Sequence, residues 1–156
     1  MDFDQLLALL QAFQDEEVDY VLVGGAALNI HGIIRATEDV DVFVRPTGDN
    51  VDRLKRALRR LWDDSDIEQI TADDLAGGYP TIRYGPPGVD FAVDLIARLG
   101  TEIGYDDVVA ESVTIEGVEI AVATPSTLYR MKSGTVRPID HADAAALKEK
   151  FDLEAD

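Results

Sequence analysis

The chain has 156 residues, 46% of them hydrophobic, enough for one core and too few for two ordinary domains, so residues 1–156 read as a single domain. A formal charge of −17 excludes a general DNA-coating role, because Lys and Arg contacts to phosphate supply most non-specific affinity. There is no cysteine, no apolar run of the roughly eighteen residues a membrane span needs, and no basic start ahead of an apolar segment, so the expectation is a cytoplasmic protein without disulfides or thiolate metal sites.

In chain order, Phe3, Leu6, Leu7, Leu10 and Phe13 recur at helical spacing and predict an amphipathic helix ending near the acidic cluster 15–17. DYVLV reads as a short apolar strand stopped by Gly24 and Gly25, and AALNIHG as a short helix closed by Gly32. EDVDVFV alternates with period two, a strand ended by Arg45-Pro46. A helix is expected from Asn50 to Trp62, with Val51, Leu54, Leu58 and Leu61 toward the core. Arg53, Lys55, Arg56, Arg59 and Arg60 lie largely opposite, five of the fourteen basic residues. A polar stretch follows through Asp74. TIRYG and VDFAVDLIARL read as two strands joined by a tight turn at Pro86-Pro87-Gly88. SVTIEGVEIAVA reads as a hairpin turning at Glu116-Gly117, Pro125 opens a helix PSTLYRMKS, and a last helix runs from about Pro138 to Lys150. Helices and strands mix without strict βαβ alternation, which predicts an α/β (α+β) fold with a mixed sheet flanked by helices.

Residues i and i+2 of a strand share a side, so Asp39 and Asp41 share one face of their strand while Val40, Val42 and Val44 share the other. Two carboxylates about 7 Å apart along a strand repel unless a cation lies between them, and such hard oxygen ligands suit Mg²⁺. The strand VDFAVDLIA repeats the pattern, with Asp90, Ala92, Asp94 and Ile96 opposite Val89, Phe91, Val93 and Leu95. Asp94 sits in its apolar part, where an unpaired carboxylate is costly. If the two strands are neighbours, three carboxylates converge in a site suited to two metals roughly 4 Å apart, the arrangement used for in-line displacement at phosphorus. Upstream, the backbone N–H groups of Gly24 and Gly25 stand between strand and helix, where they can cradle a phosphate. The bland alternative for Asp39 and Asp41 is a solvated strand face, and for Asp90 a surface position.

GGAALNIHGIIRATEDVDVFV resembles the signature of the minimal nucleotidyltransferases of the polymerase-β superfamily, and within it is most similar to the AbiEii/MenT-like toxins of toxin-antitoxin systems. TPSTLYRMKSGTVRPIDHADAAAL resembles their downstream segment, where a Lys on a helix is followed by an Arg and then Asp-x-x-Asp. The resemblance covers about residues 20 to 150 and implies a polymerase-β-like nucleotidyltransferase core. It implies metal on Asp39, Asp41 and Asp94, the nucleotide phosphates on Gly24 and Gly25, the triphosphate on Lys132, and supporting roles for Arg35, Asp140 and Asp143. It also implies Thr37 as a target of silencing phosphorylation, which would add negative charge beside the metal carboxylates. Against these stand a helix cap for Asp140, a structural ion pair for Arg35 and an exposed helix position for Lys132. His31 and His141 read as surface or satisfied core residues and Trp62 as packing; the basic helix reads either as a solvated face or as an acceptor-binding one.

The expected activity is Mg²⁺-dependent transfer of a nucleotide from an NTP to an RNA acceptor, foremost the 3′ end of tRNA, which would block translation. The resemblance implies a cognate antitoxin as partner, with no membrane and no DNA. The alternatives are an antitoxin-type enzyme that adenylylates a partner protein and a catalytically silent binding module of the same fold.

Overall fold

The computed structural model describes residues 2–33, 39–101, 103–133 and 138–153, excluding the side chains of 132–133 and 138–141. Helix α1 (Phe3–Asp15) opens with Asp2 as its cap: the Asp2 carboxylate accepts from the Asp4 N–H at 2.9 Å. Leu6, Leu7, Leu9, Leu10 and Phe13 face inward, while Phe3 is exposed, so the apolar stripe begins one turn later than the spacing predicts.

Strand β1 (Tyr20–Val23) runs straight into α2 (Gly24–Ile30), so the two glycines begin the helix rather than standing between the elements. Strand β2 (Asp39–Val44) and helix α3 (Gly48–Leu61) follow, the latter capped by the Thr47 hydroxyl. Leu61 is exposed, against expectation. Residues 63–74 are not simply polar coil. A 3₁₀ turn (Ser65–Gln69) and the short helix α4 (Ala72–Ala76) bury Ile67 and Leu75. Strands β3 (Thr81–Tyr84) and β4 (Ala92–Ile96) are antiparallel as expected, but a loop of residues 85–91 joins them in place of a tight turn. A small hairpin, β5 (Arg98–Leu99) and β6 (Ile103–Gly104), was not legible.

Strands β7 (Ala110–Ile115) and β8 (Val118–Ala123) turn at Glu116-Gly117, both with positive φ, the conformation a two-residue hairpin requires. Helices α5 (Pro125–Ser133) and α6 (Pro138–Phe151) pack on each other.

Six strands form one mixed sheet in the order β3-β4-β2-β1-β8-β7. Strand β2 is antiparallel to β1 and parallel to β4, and β1 is parallel to β8. Val40, Val42 and Val44 are fully buried in the core, each contributing on the order of 1.5–3 kcal/mol by burial. On the other face of β2, Phe43 is also fully buried, whereas Asp39 and Asp41 are half-buried. The carboxylates therefore occupy the open end of an otherwise covered strand. Among the described residues no helix is long and apolar enough to cross a membrane.

Candidate active site

Register brings the acidic pattern together. Strand β4 lies beside β2 with Asp94 opposite Asp41, and Asp39 one pleat further along the same face. Strand β3 extends the row, placing Arg83 opposite Asp94. Since directly paired residues project to the same side of a sheet, Arg83, Asp94 and Asp41 form a line across three strands. Asp90 is exposed, leaving Asp94 as the third carboxylate of the cluster.

Arg83 had no role in the sequence reading, yet it ties this cluster together. Its Nη2 donates to Asp39 Oδ1 at 3.0 Å and its Nη1 to Asp94 at 3.3 and 3.2 Å. The charge of Asp94, then the hydrogen bond donated to Asp39, hold the guanidinium pKa above its ordinary value.

Gly24 closes the cluster from below, since Asp41 pairs with Val23. It has φ +70°, and a Cβ there would lie 3.0 Å from both Cβ and Cγ of Asp41 and overlap its Oδ2. A side chain at this position would push the carboxylate aside. Gly24 is thus needed for the approach of α2 to Asp41, a requirement separate from any phosphate cradle.

The donor set consists of hard carboxylate oxygens in register on one face, and a cation already bridges two of them, which fits a site for a hard divalent ion. Among the described residues no three acidic or histidine side chains form a ready-made cage, and Arg83 bridges Asp39 and Asp94.

Asp143 is buried on α6, at 6% exposure, deeper than a helix cap would require. Lys132 lies in α5 and Asp140 in α6, with side chains outside the described set. Arg35 and Thr37 lie outside the described residues, as does the side chain of His141. His31 is a satisfied core residue: its Nε2 is 2.8 Å from the Ala123 carbonyl, and its ring meets Phe151 edge-on. Trp62 packs edge-on against Tyr84 and Phe91.

A model of the nucleotidyl transferase AbiEii toxins of type IV toxin-antitoxin systems matches residues 6–133. The chain belongs to the AbiEii nucleotidyltransferase toxin family. It is a nucleotidyltransferase, and its context is toxin-antitoxin biology. No significant match appears among curated sequences.

Solved structures share the AbiEii member's fold at low identity. ANT(2")-Ia, solved with adenylyl-2"-tobramycin, is 13% identical over 95% of this chain and 88% of its own, with a TM-score of 0.57. An antigenic nucleotidyltransferase-like protein from Paracoccidioides brasiliensis is 16% identical over 94% and 75%, with a TM-score of 0.58. A Thermotoga maritima protein solved as a nucleotidyltransferase candidate is 13% identical over 96% and 91%, with a TM-score of 0.55.

Proposed function

We propose that this chain transfers a nucleotide from an NTP to the 3′ end of an RNA, foremost tRNA, as the Mg²⁺-dependent toxin of a pair whose partner is a cognate antitoxin protein. The observation that carries the reading is the register of Asp41 with Asp94 on adjacent parallel strands, with Asp39 on the same face. Family membership supports the reaction class.

Asp39, Asp41 and Asp94 would hold the metal. When bound, Mg²⁺ would supply charge neutralisation at the triphosphate and a lowered pKa for the attacking hydroxyl. Strands β2 and β4 would fix their carboxylates before substrate arrives, which removes reorganisation from the barrier. Gly24 and Gly25 would present backbone N–H groups to the phosphates beside Asp41. The family resemblance supports Lys132 as a countercharge for the triphosphate, with Arg35, Asp140 and the buried Asp143 supporting the site. Thr37, two residues before Asp39, would be the point at which phosphorylation silences it, since added negative charge opposes both metal and triphosphate.

Purified protein incubated with each labelled NTP, total RNA and the co-expressed partner, followed by separation of RNA from protein, tests this. Label at RNA 3′ ends is the expected result. Label confined to the partner protein would replace the toxin reading with protein adenylylation, and no label under any condition would leave a silent binding module.

A further inference from the structure

Three carboxylates share one sheet face, and the chain itself sets a cation against two of them. We propose that Arg83 is the resident counter-cation of this cluster, holding Asp39 and Asp94 until a divalent ion displaces its guanidinium, and that it thereby sets the metal affinity. The proposal rests on the metal-dependent reading above.

The first argument is competition for atoms. The hydrogen bonds of Arg83 end on Asp39 Oδ1 and on both oxygens of Asp94. Each of those oxygens keeps a second lone pair, but a metal ligated there would sit against the guanidinium charge, so fork and ion repel and compete for the same atoms. Geometry supplies the second. Arg83 stands opposite Asp94 in the sheet ladder, so its position is set by strand pairing. A planar fork suits two neighbouring carboxylates better than the point charge of Lys would.

The third argument is that release is cheap. The side chain is 61% exposed and buries nothing in the core. It also lines an open pocket of about 360 Å³ with Tyr79 and Thr81, a lining that includes none of the three carboxylates. Arg83 therefore relieves carboxylate repulsion in the metal-free protein and yields when a stronger cation arrives.

Titration of the full-length protein with Mn²⁺, following free Mn²⁺ by electron paramagnetic resonance, tests this on wild type, Arg83→Met, Arg98→Met and Asp41→Asn. Arg83→Met is expected to bind Mn²⁺ about fivefold more tightly or better. It is also expected to melt below wild type without metal, with the gap closing at saturating Mn²⁺. Arg98→Met removes one positive charge away from the carboxylates and should leave affinity unchanged; equal tightening there would reduce the effect to net charge and overturn the proposal. Equal Mn²⁺ affinity in wild type and Arg83→Met, lost in Asp41→Asn, would overturn the role of Arg83 while the metal site stands. If neither wild type nor Arg83→Met binds Mn²⁺, the metal reading itself fails and the proposal falls with it. Should Arg83→Met not fold, Arg83→Lys keeps the charge, loses the fork, and is expected to tighten binding in the same direction.

Discussion

Two residues of the cluster show how far single side chains can be separated into chemistry and scaffold. Asp41 is half-buried at the open end of β2, and Asn has nearly its shape without its charge. Asp41→Asn is therefore expected to fold with a thermal transition close to wild type while transfer falls by about two orders of magnitude or more, the scale of losing a fixed electrostatic contact to a transition state. Unchanged transfer would sink the metal assignment; a collapsed transition would make the aspartate structural. Gly24 poses the opposite case. Gly24→Ala meets both a φ of +70° and the Asp41 carboxylate, so strain on the order of 1–3 kcal/mol is expected in urea unfolding. Transfer should fall further than that destabilisation explains, because Asp41 must rotate away. A fully active Gly24→Ala would show that the carboxylate has room to yield. The sequence made Asp39, Asp41 and Asp94 legible because period-two alternation reveals which residues share a face. Arg83 was illegible for a physical reason: its role depends on pairing with Asp94, and the loop of residues 85–91 between their strands leaves that register open.

At the scale of elements, helix α3 bears on a choice that the sequence left open. Its five cations could line a solvated face or an acceptor-binding one, and Arg56 and Arg60 pair with Glu16, Arg60 also with Asp15, Arg59 and Lys55 with Glu68, and Arg53 with Asp19. An RNA phosphate must compete with the chain's own carboxylates for each of them. Exchanging Arg56 and Arg60 for Glu turns three ion pairs into like-charge contacts and is therefore expected to lower stability by more than the about 1 kcal/mol of one surface pair, while leaving acceptor use and its salt dependence within about twofold. Selective loss of acceptor transfer, with NTP binding spared, would restore the RNA-steering reading. The same helix is anchored by a residue that polarity alone would have placed outside. Asn50 is fully buried; it accepts from the Asp19 N–H at 2.7 Å and donates to the carbonyls of Asp19 and Arg45 at 2.9 Å each. Asn50→Ala strands the Asp19 N–H and the Arg45 carbonyl, while the Asp19 carbonyl keeps the Arg45 N–H, and should cost about 2–3 kcal/mol in denaturant unfolding. A cost under about 0.5 kcal/mol would mean that water replaces the amide.

For the whole molecule, helix and strand order was largely readable from apolar periodicity, but sheet order was not: placing β4 beside β2 and β8 beside β1 requires long-range pairing that no local pattern encodes. One consequence of that pairing is a pH limit. Tyr20 on β1 is buried, and its hydroxyl accepts from the Ala121 N–H of β8 at 3.3 Å. Burial is the largest cause that pushes its pKa up to about 12; the Ala121 hydrogen bond opposes the shift and Glu119 adds to it. The folded chain thus keeps its proton where the unfolded chain, titrating near 10, has lost it. Below pH 10 both states are protonated and the stability is fully present. Between about 10 and 12 the unfolded state binds fewer protons, so stability falls as pH rises, by on the order of 1.4 kcal/mol per unit. Burial likewise raises Tyr84, which donates to Asp64 at 2.8 Å, and adds to the alkaline loss. Urea unfolding at several pH values is expected to show stability steady from about 8 to 9.5 and declining through 12, with a shallower decline in Tyr20→Phe. An equally steep decline in that variant would move the alkaline limit to other groups and leave the β1–β8 contact without a part in it.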